Sequence, residues 1–420
     1  MDIVIVRDKN RARRFLLLSM VLLLVRASAD AYGRTWMGAS LEYAVRQAVL
    51  KIGPFRLRTI LVLSNAGYDS NVYRTAANPV KDYSVTAGPA FYLYLPIRKK
   101  IIFSIYESPQ YVYFFETKRE RTWNQYSSAQ VSIALERLFL SAGAGYSKAR
   151  EIWNTEIDIR PQRTERSLKG DALWQVSRKT SFQLGFRESK FDYEDLSLGF
   201  SNIKQTLNRT ERYLNGSLYL QLTGKIRGGV EYELGRFDFQ SPESPRNSES
   251  QAVYGKINLA PVGRISGSVR IGVKDFRLRS GPGSDFRGFA GDGDISIKLG
   301  QNMKLRGTYG RDVQFSTWFG YAYFIENRAG AGVSFYPFRK IRLDYDYISG
   351  DNYYPMASLT GEGPSAERTD RNRTHRVGLY FRLKERIAFG VSMNWWQRDS
   401  TLAELRAKRA FFGANLIYDF

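Results

Sequence analysis

Along residues 56–420, apolar and polar side chains alternate with a period of two rather than 3.6. In 181–193, Phe182, Leu184 and Phe186 point one way and Gln183, Gly185 and Arg187 the other. In 265–276, Ile265, Val269, Ile271 and Val273 alternate with Ser266, Ser268, Arg270 and Lys274. The last run sets Phe412, Ala414, Leu416, Tyr418 and Phe420 against Phe411, Gly413, Asn415, Ile417 and Asp419. A soluble strand is usually ~5–6 residues long. These runs are about twice that, the length of strands tilted across a hydrocarbon layer, ~9–11 residues. The pattern predicts strands over 56–69, 83–96, 101–115, 125–136, 138–149, 165–177, 181–193, 210–222, 226–239, 250–260, 264–276, 289–299, 303–314, 323–336, 341–350, 372–383, 387–398 and 408–420.

Tight connections fall at 96–99, 136–137, 177–180, 223–225, 261–264, 300–302, 337–340 and 384–386, and all but one carry a basic residue. Between them lie longer polar stretches, such as 240–250, 280–287 and 360–373. Short turns on one edge and long loops on the other are the asymmetry of outer-membrane barrels, whose short turns are periplasmic. The predicted fold is all-β, a transmembrane antiparallel up-and-down barrel of about 18 strands over 55–420, with sixteen if one pair is a loop. The Phe-terminated strand, with Phe412, Leu416, Tyr418 and Phe420 on one face, reads as the closing strand and as the address for the barrel-insertion machinery.

The N-terminus supports export. Lys9, Arg11, Arg13 and Arg14 precede an apolar run over 15–25, and Ala27-Ser28-Ala29 is a small-x-small cleavage site. Residues 1–29 are therefore expected to be a cleaved signal peptide, the run being too short to span a bilayer as a helix, which takes ~20 residues. Residues 30–54 form a short periplasmic segment in which 41–50 reads equally as helix or strand.

Aromatics make up 14% of the chain and gather near predicted strand ends, among them Tyr92, Tyr94, Tyr111, Tyr113, Phe114, Trp395, Trp396 and Tyr418. They read as girdles at the two bilayer interfaces. The absence of Cys and the single His375 argue against thiolate metal sites, a His-based metal centre and a conventional triad. No catalytic residue, cofactor or metal is expected, and His375 reads as a solvated surface residue. The net charge is +22, and removing six basic and two acidic side chains with 1–29 leaves about +18. Export disfavours nucleic acid. Outer-membrane lipid and lipopolysaccharide phosphates, or an anionic solute in a pore, remain as partners.

Two stretches carry a resemblance. Ile52-Gly53-Pro54-Phe55-Arg56-Leu57 leads into Ala66-Gly67-Tyr68-Asp69-Ser70-Asn71-Val72-Tyr73, and the tail holds Trp395-Trp396-Gln397-Arg398-Asp399-Ser400. Both are similar to the β-barrel porin type 2 group of bacterial outer-membrane proteins. The resemblance implies a place in envelope polysaccharide export. Asp69, Ser70 and Asn71 read as a turn ending the first strand, since three side chains fall short of a calcium shell of six to eight oxygens.

If the apolar face meets lipid, the other lines the lumen. That set includes Arg187, Arg227, Arg270, Lys274, Lys304, Arg306, Arg342, Arg376, Arg382 and Arg398, with acids such as Glu231, Glu233, Asp312, Asp344 and Asp346 between them. Such bases lower the barrier for anions, or they pair with the acids and knit the wall. The sequence thus points to a bacterial outer-membrane channel for anionic solutes or polysaccharide. A structural or adhesive barrel with a closed lumen stands second and an outer-membrane hydrolase third.

Overall fold

The computed structural model describes residues 45, 48 and 50–420, apart from 99, 157, 199–200, 261–263, 281–283, 319, 356–367 and 385. The expected signal peptide and most of 30–54 lie outside the described residues. Leu50–Ile52 is a short strand that folds back on the start of the barrel through Gly53, at φ 56°.

Eighteen long strands follow in chain order: β1 Phe55–Asp69, β2 Asp82–Ile97, β3 Ile101–Phe114, β4 Thr122–Ala134, β5 Leu138–Arg150, β6 Gln162–Gln175, β7 Thr180–Tyr193, β8 Arg209–Thr223, β9 Ile226–Phe239, β10 Ser248–Leu259, β11 Ile265–Leu278, β12 Phe286–Leu299, β13 Met303–Phe315, β14 Tyr323–Phe338, β15 Ile341–Tyr354, β16 Arg368–Lys384, β17 Ile387–Ser400 and β18 Ala407–Asp419. Each pairs antiparallel with the next, and β18 returns to β1, so the sheet closes on itself. Every strand end lies within four residues of its predicted position, and the count is eighteen rather than sixteen. Eight turns of two to five residues mark one rim, and nine loops of six to fifteen residues mark the other.

Closure follows from solvent. In hydrocarbon every backbone N–H and C=O must be paired, and a closed barrel alone leaves no strand edge. The outer wall carries exposed apolar side chains, among them Leu168, Leu184, Leu214, Val253, Val273 and Val377. Toward the loop rim this face turns charged: Glu188, Arg212, Arg236 and Asp238 form one outward network. Trp123, Tyr83, Phe115, Trp174, Trp395 and Phe420 are outward aromatics. The girdle expectation needs correction at four residues. Tyr92 and Tyr94 lie beside the inward Arg58, and Phe114 and Trp396 are buried inside the ring. Strict alternation explains this: of two adjacent aromatics, one must face the lumen. His375 is not solvated on its own but stacks outward between Tyr347 and Trp395, with Nδ1 3.1 Å from the Tyr345 hydroxyl.

The seam between β1 and β18 is irregular. The register slips between Leu63 and Ala66 around Asn65, which sits at φ 50°. Just beyond, Gly67 packs so tightly on β18 that a Cβ would lie 1.8 Å from the Phe412 carbonyl oxygen. Phe412 and Leu416 of β18 and the following Phe420 are exposed outward and Tyr418 packs edge-on against Phe420 at 4.6 Å, whereas Asp419 turns inward to Arg58.

Two tests follow. Leu416→Arg should cost about 2–4 kcal/mol in reversible folding into lipid vesicles, and Asn415→Arg on the lumen face much less. Equal damage from both would shift the register by one residue. A Cys in 242–249 should react with an impermeant thiol reagent on intact cells while one at Lys225 stays protected; the reverse labelling would turn the barrel over.

Candidate functional site

The loop between β5 and β6, residues 151–161, does not stay over its own strands. Its partners are on the far side of the ring. Thr155 Oγ1 accepts from Asn352 on β15 at 2.8 Å, and the Thr155 carbonyl accepts from Arg398 on β17 at 2.8 Å. Asp158 takes the Arg398 guanidinium at 2.8 Å. Glu156 receives the Ser316 hydroxyl at 2.6 Å and the Thr317 backbone N–H at 2.7 Å, with Arg368 of β16 3.7 Å away. Strand β15 stands nine places from β6 around an eighteen-strand ring, so these bonds span the lumen. Arg368 also grips Asp370 of its own strand at 2.5 Å. Glu156, Arg368, Asp370 and Arg398 are each at most 1% exposed, so the centre of this ionic latch is dry. Burial raises the Asp158 carboxyl above the ordinary carboxylate range, with Arg398 opposing the rise.

Beside the latch an aromatic wedge projects into the outer lumen. Phe237 and Phe239 of β9, Phe276 of β11, Phe286 of β12 and Tyr323 of β14 are buried together, with Phe315 packed on them. The β12–β13 ladder starts only at Gly291 and Arg311; beyond it the end of β13 parts from β12 while staying paired with β14 as far as Phe315 and Tyr323, and Phe315 lies 4.8 Å from Phe239. Arg246, in the loop after β9, clamps the segment beyond β13 by donating to the carbonyls of Ser316, Trp318 and Tyr321 at 3.1–3.2 Å. Burial lowers Arg246 to about 10.

The inner half of the lumen is lined by charged and polar side chains. A cavity of about 440 Å³ runs along its wall between Lys169, Arg187, Glu231, Lys256, Arg270 and Asp292. Arg187 lies flat on Tyr213 at 4.5 Å and Arg227 on Tyr219 at 4.3 Å. Arg270 reaches Asp292 at 2.7 Å, Glu233 at 3.1 Å and Glu231 at 3.2 Å. Lys274 is bonded to Asp312 at 2.6 Å, Arg306 to Asp346, and Arg342 to Asp344 at 2.9 Å. Lys304 stands across the ladder from Lys298, Arg376 from Asp346, and Arg382 from Ala388 near the short-turn rim. Arg398 is no wall residue in the inner half but a member of the buried latch. Five of the ten predicted bases therefore carry a carboxylate partner. Mid-barrel, pairing outweighs surplus.

The surplus sits elsewhere. The eight short turns hold eleven Lys and Arg against Glu136 and Glu385, while the nine long loops hold ten bases and twelve acids. The connections are thus unequal in charge, strongly basic in the short turns and slightly acidic in the long loops.

Closure, an even strand number, an apolar outer band and short-turn/long-loop asymmetry define the class: this is a bacterial outer-membrane β-barrel. No protein-family model matches the sequence, and no curated protein matches it. Among solved structures the chain is similar to the outer membrane protein OpdK from Pseudomonas aeruginosa, at 11% identity and TM-score 0.48, covering 87% of this chain and 98% of that one. It is also similar to OpdQ from Pseudomonas aeruginosa, at 13% identity and TM-score 0.47 over 88% and 98%. The siderophore receptor PirA from Acinetobacter baumannii gives 9% identity and TM-score 0.44 over 87% and 80%. At this distance the likenesses define no family for the chain.

Removing one side of the latch tests its role. Glu156→Ala leaves Arg368 without one of its two carboxylates and frees the crossing loop; loss of one partner in a buried ion pair costs about 3–5 kcal/mol. Single-channel conductance should rise and the unfolding temperature fall. A stable variant of unchanged conductance would show that the loop does not set the width.

Proposed function

We propose that this barrel is an outer-membrane channel that gathers anionic solutes at its periplasmic rim and passes them through a narrowed outer half. The observation that carries the reading is the unequal charge of the connections: eleven bases and two acids at the short turns, against a slight acidic excess in the loops. Rings of like charge at a mouth raise the local concentration of the opposite ion over roughly a Debye length, about 8 Å at physiological salt. The paired charges and tyrosines of the inner half present a polar wall to a hydrated solute. The sequence resemblance to the porin type 2 group makes an acidic envelope polysaccharide one such solute. The structural reading, a closed lumen, draws on the dry latch and the aromatic wedge, which narrow the outer half. The loops, net acidic, do not favour the surplus charge as a lipopolysaccharide anchor.

Reversal potentials in a salt gradient test the proposal. The wild-type barrel should favour anions, and changing Arg178, Lys179, Arg339 and Lys340 to Glu should shift preference toward cations more than changing the mid-barrel Arg270, Arg306 and Arg342 to Ser. An insulating barrel, or cation preference insensitive to the turn changes, would give the closed-lumen reading the lead.

A further inference from the structure

The outer lumen holds a second group of charges, beside the latch, in which one guanidinium has no carboxylate bonded to it. Trp396, buried on β17, is its centre. Arg409 of β18 stands directly across the ladder from it, Arg398 lies 5.7 Å from its ring and Arg74, from the loop after β1, lies 4.7 Å over it. Two of these three guanidiniums are satisfied. Arg409 grips Asp69 with two nitrogens at 2.6–3.0 Å, and Arg398 takes Asp158. A fourth, Arg160, shares Glu120 at 3.5 Å. Arg74 alone makes no side-chain hydrogen bond or ion pair among the described residues, and its Nε is buried without a partner.

Arg74 is also placed there at a local cost. Its φ is +60°, a left-handed backbone that arginine seldom adopts. The preceding motif enforces it. Asp69 Oδ1 accepts the Asn71 N–H at 3.0 Å, and the Ser70 hydroxyl accepts the Ala410 N–H at 2.7 Å. The Asn71 amide donates to the carbonyls of Thr75 and Lys408, while its oxygen accepts the Thr75 N–H at 3.1 Å. These bonds clasp the loop to β18 and hold the strained turn. A turn built this firmly to present a cation, with no carboxylate to meet it, is one half of a binding pair.

We infer that Arg74, laid on Trp396 beside Arg398 and Arg409, is the centre of a binding site for the oxyanion group of a solute in the outer lumen, a carboxylate or a phosphate. Asp69, Asp158 and Glu120 are held by Arg409, Arg398 and Arg160, so Arg74 is the one of the four guanidiniums with no carboxylate bonded to it. The planar fork of arginine accepts such a group in two parallel hydrogen bonds. Burial, with the neighbouring Arg409, Arg398 and Arg160, pulls Arg74 down to about 9 against the opposing Asp69, the direction expected of a cation awaiting its counter-ion. The site goes beyond the channel proposal, because binding here needs no conduction.

The test uses the purified full-length barrel in nonionic detergent. Unfolding temperature is followed while inorganic phosphate, and separately acetate, replaces chloride at constant ionic strength. A ligand bound to the folded state alone raises the unfolding temperature with its concentration. Wild type should be stabilised by at least one of the two anions with a saturating dependence. Arg74→Met should bind at least tenfold more weakly, and Arg74→Lys should fall between. Without added oxyanion, Arg74→Met should be as stable as wild type or more so, which separates lost binding from lost folding. Equal anion dependence in wild type and Arg74→Met, or none in wild type through the millimolar range, overturns the site. A barrel that binds through Arg74 yet shows no anion preference in a salt gradient would sink the channel proposal alone.

Discussion

The structure depends on one seam. A membrane barrel has no partial form in hydrocarbon, since an unclosed ring leaves a row of unpaired backbone groups at each edge. Here β1 and β18 must meet although their registers do not match along their whole length. An Arg–Asp pair fastens each end: Arg58 holds Asp419 at 2.5 Å near the short turns, and Arg409 holds Asp69 at 2.6 Å near the loops. Between them the slip at Asn65 takes up the mismatch, and Gly67 permits the close approach that follows. The loop that carries Arg74 and the inward turn of Asp419 are both consequences of how this seam is tied.

Much of the architecture was legible in the alternation of side chains. Phe182-Gln183-Leu184-Gly185-Phe186-Arg187 has one solution when one face meets lipid, and turn chemistry bounds each run. Asp69, Ser70 and Asn71 also read as a turn, which they form. What alternation cannot convey is contact at long range. The latch joins Glu156 to Ser316, Thr317 and Arg368, and Asp158 to Arg398, across 160 to 240 residues. The only local trace was a loop with three acids, Trp153 and three isoleucines, more apolar than an exposed loop needs. The short helix Ile203–Leu207 was missed because five residues give no periodicity; its Ile203 and Leu207 pack under the loop rim against Phe191 and Tyr193.

Inward-facing bases, counted along the sequence, exaggerate the charge of the lumen. Strands bring Arg270 to three carboxylates and Lys274 to one, and such pairs fix neighbouring strands to each other as much as they shape a potential. Position along the axis separates the two roles. Bases at the turns have little acid to meet and act at a distance, whereas half of those predicted for the wall are paired locally.

The latch also draws its two sides from opposite ends of the chain. Its acceptors belong to the loop after β5, and its donors to β15, β16, β17 and the segment beyond β13. The N-terminal third of the barrel supplies the crossing loop and the C-terminal third the anchor that holds it. The constriction therefore exists only in a ring that contains both groups of strands at once, and a fragment lacking either cannot form it.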